Sequence, residues 1–104
     1  MSYQRLSEEA INQALTAATD WQRCGDRIKR DFVFSDFAEA FSFMTQVAEL
    51  AERANHHPEW SNVYNKVSIE LTTHECLPPG KAGLTQKDFD LAGEINQLPL
   101  PSNL

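Results

Sequence analysis

Cysteine is scarce here: Cys24 and Cys76 are the two in the chain, far apart and without a CxxC pair. Met1-Ser2-Tyr3-Gln4-Arg5 has no apolar h-region, so no secretory signal is expected and free thiols are the default. Long hydrophobic runs are also missing. None approaches the roughly 20 residues that span a bilayer, so no membrane partner is expected. Basic charge is thin, and the net charge is −6. That argues against nucleic acid or an anionic membrane as the main partner. The densest basic run, Arg27-Ile28-Lys29-Arg30, alternates like a strand and is expected to be a solvated face. There is no phosphate-binding glycine loop, no dinucleotide fingerprint, no internal repeat and no linker.

What remains is ordinary globular composition over 104 residues, enough for a single domain, residues 1–104, with a modest core. Leu6-Ser7-Glu8-Glu9-Ala10-Ile11 starts a helix. Ser7 can cap it, the two glutamates suit the positive dipole end, and Leu6 can staple against Ile11. That helix should end near Thr19. Trp21 begins a short strand, Cys24-Gly25-Asp26 reads as a turn, and Ile28, Phe32 and Phe34 share one strand parity that Arg30 breaks. Ser35 or Asp36 caps the main helix. Its core stripe reads Phe37, Ala40, Phe41, Met44, Val47, Ala48, Ala51 and Ala54. Phe43 and Leu50 form a second stripe, for the core or for a contact between subunits.

Pro58 cannot continue this helix, which should end near Asn55 and His56. Two more strands follow, residues 60–64 and residues 67–73, with a turn at Asn65-Lys66. Residues 76–83, rich in Pro and Gly, read as a loop. Thr85-Gln86-Lys87-Asp88 caps the last helix, with Leu84 stapling on Phe89 and a buried stripe of Phe89, Ala92 and Ile95. Pro99 and Pro101 end regular structure, and the tail to Leu104 is expected to be loose. The predicted fold is therefore α+β: a four-stranded antiparallel sheet with three helices packed on one face, in the order α-β-β-α-β-β-α. Its open face and edges need cover, which suggests self-association.

The chemistry is concentrated between residues 55 and 75. All three histidines of the chain, His56, His57 and His74, lie there. A histidine at the end of the main helix faces the negative pole of its dipole, a favourable place for a cation. His74 leaves the end of the last strand on its polar parity. A helix end and a strand end, each carrying histidine, form a plausible cleft. Imidazoles, which titrate near neutrality, suit a reaction that needs one proton delivered and another removed. Singly, the same residues read as a helix cap, a turn and a surface side chain.

Two rival chemistries are weaker. His56, His57, His74, Glu75 and Cys76 are all metal-ligand types. Adjacent residues at a helix end diverge, however, and no four-ligand spacing is present, so no metal is expected. Cys76 lies near His74, but no motif supplies an oxyanion hole or an orienting third group.

The string Glu52-x-x-Asn55-His56-His57-Pro58-Glu59-Trp60, then Asn62-Val63-Tyr64-Asn65-Lys66-Val67, then Thr72-Thr73-His74-Glu75, resembles the pterin-4a-carbinolamine dehydratase family. The resemblance runs from about Trp21 to Leu98 and includes Phe32-x-Phe34-x-Asp36-Phe37, Ala40-Phe41-x-Phe43-Met44 and Ala82-Gly83-Leu84-Thr85. It implies dehydration of 4a-hydroxy-tetrahydrobiopterin to quinonoid dihydropterin and water, in tetrahydrobiopterin recycling, with no cofactor. It implies His56, His57 and His74 as catalytic residues, with His57 and His74 moving most protons and His56 orienting substrate. Asn55, Thr72, Thr73 and Glu75 then match positions that line the pterin, Glu75 on its guanidine-like edge. Trp60 is expected to pack the site wall. The family also implies homodimers or homotetramers and a cytoplasmic protein.

Some members bind homeodomain transcription factors. An interaction module, stabilising dimers of such a partner through the helix around Phe43 and Leu50, is thus the alternative; it would extend the location to the nucleus. The chain departs from the family at Leu77, Pro78, Pro79, Gly80 and Lys81, which look inserted beside His74 and could reshape the site rim.

Overall fold

The computed structural model describes residues 3–100. Pro101 and the tail to Leu104 lie outside the described residues, as do Met1 and Ser2. A short strand β1 (Tyr3–Gln4) precedes helix α1 (Glu8–Ala17), strands β2 (Gln22–Cys24) and β3 (Arg27–Val33), and the long helix α2 (Phe37–Ala54). Strands β4 (Glu59–Val63), β5 (Lys66–Leu71) and β6 (Cys76–Leu77) then lead to helix α3 (Gln86–Asn96).

The helices begin where their caps dictate. Ser7 Oγ accepts from the backbone of Ala10 at 3.1 Å, and Asp36 Oδ1 accepts from Glu39 at 2.8 Å. Each satisfies a backbone donor that the first turn leaves orphaned. At the other end of α2 the chain turns through Asn55 in the left-handed region, φ 50°. Asparagine tolerates this conformation far better than most residues. The turn directs His56 and His57 off the helix axis.

Four strands form one antiparallel sheet in the order β2-β3-β5-β4. Within it Ile28 lies opposite Leu71, Arg30 opposite Ile69 and Phe32 opposite Val67. These positions share one face, and Ile28, Phe32, Val67, Ile69 and Leu71 are all buried. The helices cover that face. α2 contributes Ala40, Phe43, Val47, Leu50 and Ala51, and α3 contributes Phe89, Leu91, Ala92 and Ile95. Burial of each large side chain is worth roughly 1.5–3 kcal/mol. Phe32 makes the densest aromatic contact, with its ring centroid 4.7 Å from that of Phe43. The opposite face carries Lys29 across from Glu70, Asp31 from Ser68, and Val33 from Lys66.

Five expectations need correction. The buried stripe of α2 is rotated. Phe43 and Leu50 are core, so they are not available to a partner helix, whereas Phe37 and Phe41 are 50% and 53% exposed, with their rings 5.7 Å apart and tilted by 40°. Both stripes obey the helical period; the position of the sheet selects between them. Arg30 is not on a solvated face: its guanidinium lies 4.6 Å over the Phe32 ring and donates to Asn96 Oδ1 at 2.7 Å. Asn96 in turn accepts from Trp21 Nε1 at 2.9 Å. The strand that Trp21 was expected to begin starts one residue later, because the Trp21 backbone N–H is taken by the Ala18 carbonyl in the turn after α1.

The fourth strand stops at Leu71 rather than Thr73, because Thr73 leaves the sheet to bridge Gly83. Finally, the predicted loop contains a strand. β6 pairs in parallel with β1, which the sequence pattern did not reveal. A two-residue strand carries no usable periodicity. Among the described residues, no helix is long and apolar enough to cross a membrane.

Candidate active site

The C-terminus of α2 and the segment after β5 converge as expected. Asn55, His56, His57, Thr72, Thr73, His74 and Glu75 line one cavity of about 470 Å³, together with Tyr3 and Lys87. That volume is within the usual range for small-ligand sites, about 300–1,000 Å³. All seven residues named from the sequence therefore share one cleft.

The three imidazoles occupy different environments. His56 is buried, and its Nε2 lies 2.6 Å from Asp88 Oδ1. His57 is exposed and its Nε2 sits 2.6 Å from Glu52 Oε1, one turn back in α2. His74 is the most open, with 69% of its side chain exposed and Nε2 3.3 Å from Glu59 Oε2. Each ring thus has a carboxylate beside one nitrogen, which fixes its orientation and leaves the other nitrogen for different work.

Asp88 is the residue that sequence reasoning undervalued. Read as a helix cap, it is completely buried. Its Oδ2 accepts from Thr73 Oγ1 and from the Thr85 backbone N–H, both at 2.9 Å. Thr73 Oγ1 also lies 2.8 Å from Thr85 Oγ1. One carboxylate therefore ties His56 on α2, Thr73 after β5 and the start of α3 into a single network. The signal was present: Asp88, Leu91, Ala92 and Ile95 follow the i, i+3, i+4, i+7 rule, which places a carboxylate on the apolar stripe. The hydroxyl of Thr72 donates to the backbone carbonyl of Asp26 at 2.7 Å. Both threonine hydroxyls are thus engaged within the protein and shape the wall.

Beyond His74 a charge chain runs onto the open sheet face. Arg27 lies 3.0 Å from Glu59 and 3.3 Å from Glu70. The hydrogen bond from Arg27 holds the Glu59 carboxyl below its ordinary 4.5, and His74 lowers it further. Because the folded value is depressed, this pair contributes stability above about 4.5 and loses it as pH falls through the lower folded value. The groups are largely exposed, so that contribution is small. Arg27→Met is expected to return the Glu59 midpoint toward 4.5, followed by ¹³C NMR titration of its carboxyl. A midpoint that does not move would remove Arg27 as the cause.

The other sequence-named groups fall outside the cleft. Trp60 packs against the core instead of lining the cavity. Cys76 is buried, with its thiol donating to the backbone carbonyls of Thr73 and Lys81 at 3.2 and 3.4 Å. Both cysteines are free. Among the described residues, no three His, Cys, Asp or Glu side chains are grouped to hold a metal ion.

A helix-covered antiparallel sheet with a histidine-lined, ligand-sized cleft at the junction of its elements defines the protein as an α+β domain with one candidate site. A family model described as Pterin 4 alpha carbinolamine dehydratase matches residues 4–98, and the chain belongs to that family. Proteins carrying the name pterin-4-alpha-carbinolamine dehydratase are close in sequence. One from Rhodopseudomonas palustris (strain HaA2) is 46% identical over 91% of each chain. Another, from Synechococcus sp. (strain WH7803), is 55% identical over 75% of this chain and 78% of its own. Among solved structures, the transcriptional coactivator/pterin dehydratase from Brucella melitensis superposes with a TM-score of 0.78 at 42% identity, covering 88% of this chain and 95% of that one.

Proposed function

We propose that the protein dehydrates a 4a-hydroxy-tetrahydropterin, with the tetrahydrobiopterin carbinolamine as the natural substrate, in recycling of that cofactor. The observation that carries this reading is the convergence of His56, His57 and His74 on one ligand-sized cleft. In the reaction the C4a–O bond breaks, the hydroxyl takes up a proton and leaves as water, and a ring nitrogen gives up a proton as the quinonoid dihydropterin forms. Protons balance and no electrons are exchanged. His57 and His74, the two exposed imidazoles, transfer the protons. His56, locked against Asp88, orients the ring. Asn55, Thr72 and Thr73 shape the pocket, and Glu75 takes the guanidine-like edge of the pterin.

The active form is a homodimer or homotetramer in the cytoplasm. The adjoining, exposed Phe37 and Phe41 rings support self-association of this kind. They also support the alternative, an interaction module, because the Brucella neighbour is named a transcriptional coactivator as well as a dehydratase.

The test is to generate the 4a-hydroxy compound in situ and follow its ultraviolet decay with purified protein, EDTA present throughout. Accelerated decay supports the dehydratase reading. Decay no faster than in buffer would remove it and favour the interaction module.

A further inference from the structure

The cleft holds a cation that the dehydration step does not use. Lys87 lies in the first turn of α3, at the positive end of its dipole, where a second positive charge is unfavourable. Its ammonium donates to the Asn55 carbonyl at 3.2 Å and to Tyr3 Oη at 3.3 Å, and sits 4.7 Å over the Tyr3 ring. All three partners are neutral. Among the described residues no carboxylate forms an ion pair with it: the neighbouring Asp88 is spent on His56, Thr73 and Thr85. An ammonium has three donors, so one remains for a ligand.

Tyr3 reaches the cleft through a strap outside the sheet. Its N–H donates to the Glu75 carbonyl at 2.8 Å, and Arg5 N–H donates to the Leu77 carbonyl at 3.2 Å. The Arg5 guanidinium donates to the carbonyls of Pro78 and Lys81, both within the segment that departs from the family pattern. The segment that departs from the family pattern is therefore what anchors the strap carrying Tyr3.

We propose that Lys87, backed by Tyr3, is an anion-accepting subsite of the cleft, which lets it take pterins with a carboxylate or phosphate on the C6 substituent as well as the neutral biopterin carbinolamine. This rests on the pterin reading of the site. The C6 substituent is where pterins vary, and a half-buried ammonium with neutral partners gains most from an anionic one, through a charge-assisted hydrogen bond. Glu75, which lines the same cleft and has interactions of its own, is left to the ring.

The experiment is fluorescence titration of the intact protein with pterin-6-carboxylate and with 6-methylpterin, for wild type, Lys87→Met and Lys87→Arg. The readout is the ratio of the two dissociation constants. Wild type is expected to favour the carboxylate about 10-fold or more, Lys87→Met to lose that preference and Lys87→Arg to keep most of it. The wild-type preference should also fall as salt rises, a measurement that needs no variant to fold. A ratio that Lys87→Met leaves unchanged, including equal weakening of both ligands, overturns the subsite while the dehydratase reading stands. If neither pterin binds wild type, the dehydratase reading fails and the subsite with it.

Discussion

His74→Ala is expected to lower the rate of carbinolamine dehydration about 10²–10⁴-fold, the usual worth of one positioned acid or base. The melting temperature should hardly change. Both halves follow from exposure. With 69% of its side chain open to solvent and Glu59 at 3.3 Å, His74 contributes little to the folded state. Surface substitutions of this kind alter stability by about 0.5 kcal/mol or less. The measurement is the ultraviolet decay assay beside circular dichroism on one preparation. A folded variant with the wild-type rate would show that His74 does not touch the reacting atoms.

Asp88→Ala should do the reverse and unfold the protein readily. Each buried group left without its hydrogen-bond partner costs about 1–3 kcal/mol. Added up, such losses are a large share of the roughly 5–15 kcal/mol that holds such a domain together. Here His56, Thr73 and the Thr85 backbone N–H would all lose a partner inside the protein. Urea unfolding of the single variants Asp88→Ala and His56→Ala and of the double variant measures it. The double variant should be less destabilised than the sum of the singles, because the second removal relieves an orphan left by the first. Strict additivity, or a loss below about 1 kcal/mol for Asp88→Ala, would show that the network is not a stability element.

The two residues differ in how far they could be read in advance. His74 was visible as one of three histidines in a chain that has none elsewhere. Asp88 was visible only as a cap, since an acidic residue in the first turn of a helix is normally solvated. Its burial depends on α3 packing against the end of α2, a contact between residues 32 apart in sequence. Tyr3 was less visible still. It enters the cleft through a parallel pairing of β1 with β6, 73 positions away at Tyr3 and Cys76.

The sequence by itself determined the order of the three helices and of the four strands of the main sheet, the α+β class, the helix cap at Ser7, and seven of the residues that line the cleft. Those features depend on local periodicity, on Pro58 and on caps a few residues long, all of which a linear pattern records. Tertiary structure alone decided which stripe of α2 is core, that Arg30 lies over Phe32, and which carboxylate each histidine meets. A helix that is apolar over a wide arc satisfies its period in more than one rotation, and an ion pair between distant elements leaves no period at all. Packing against the sheet settles the first, and the closeness of α2, β4 and α3 settles the second.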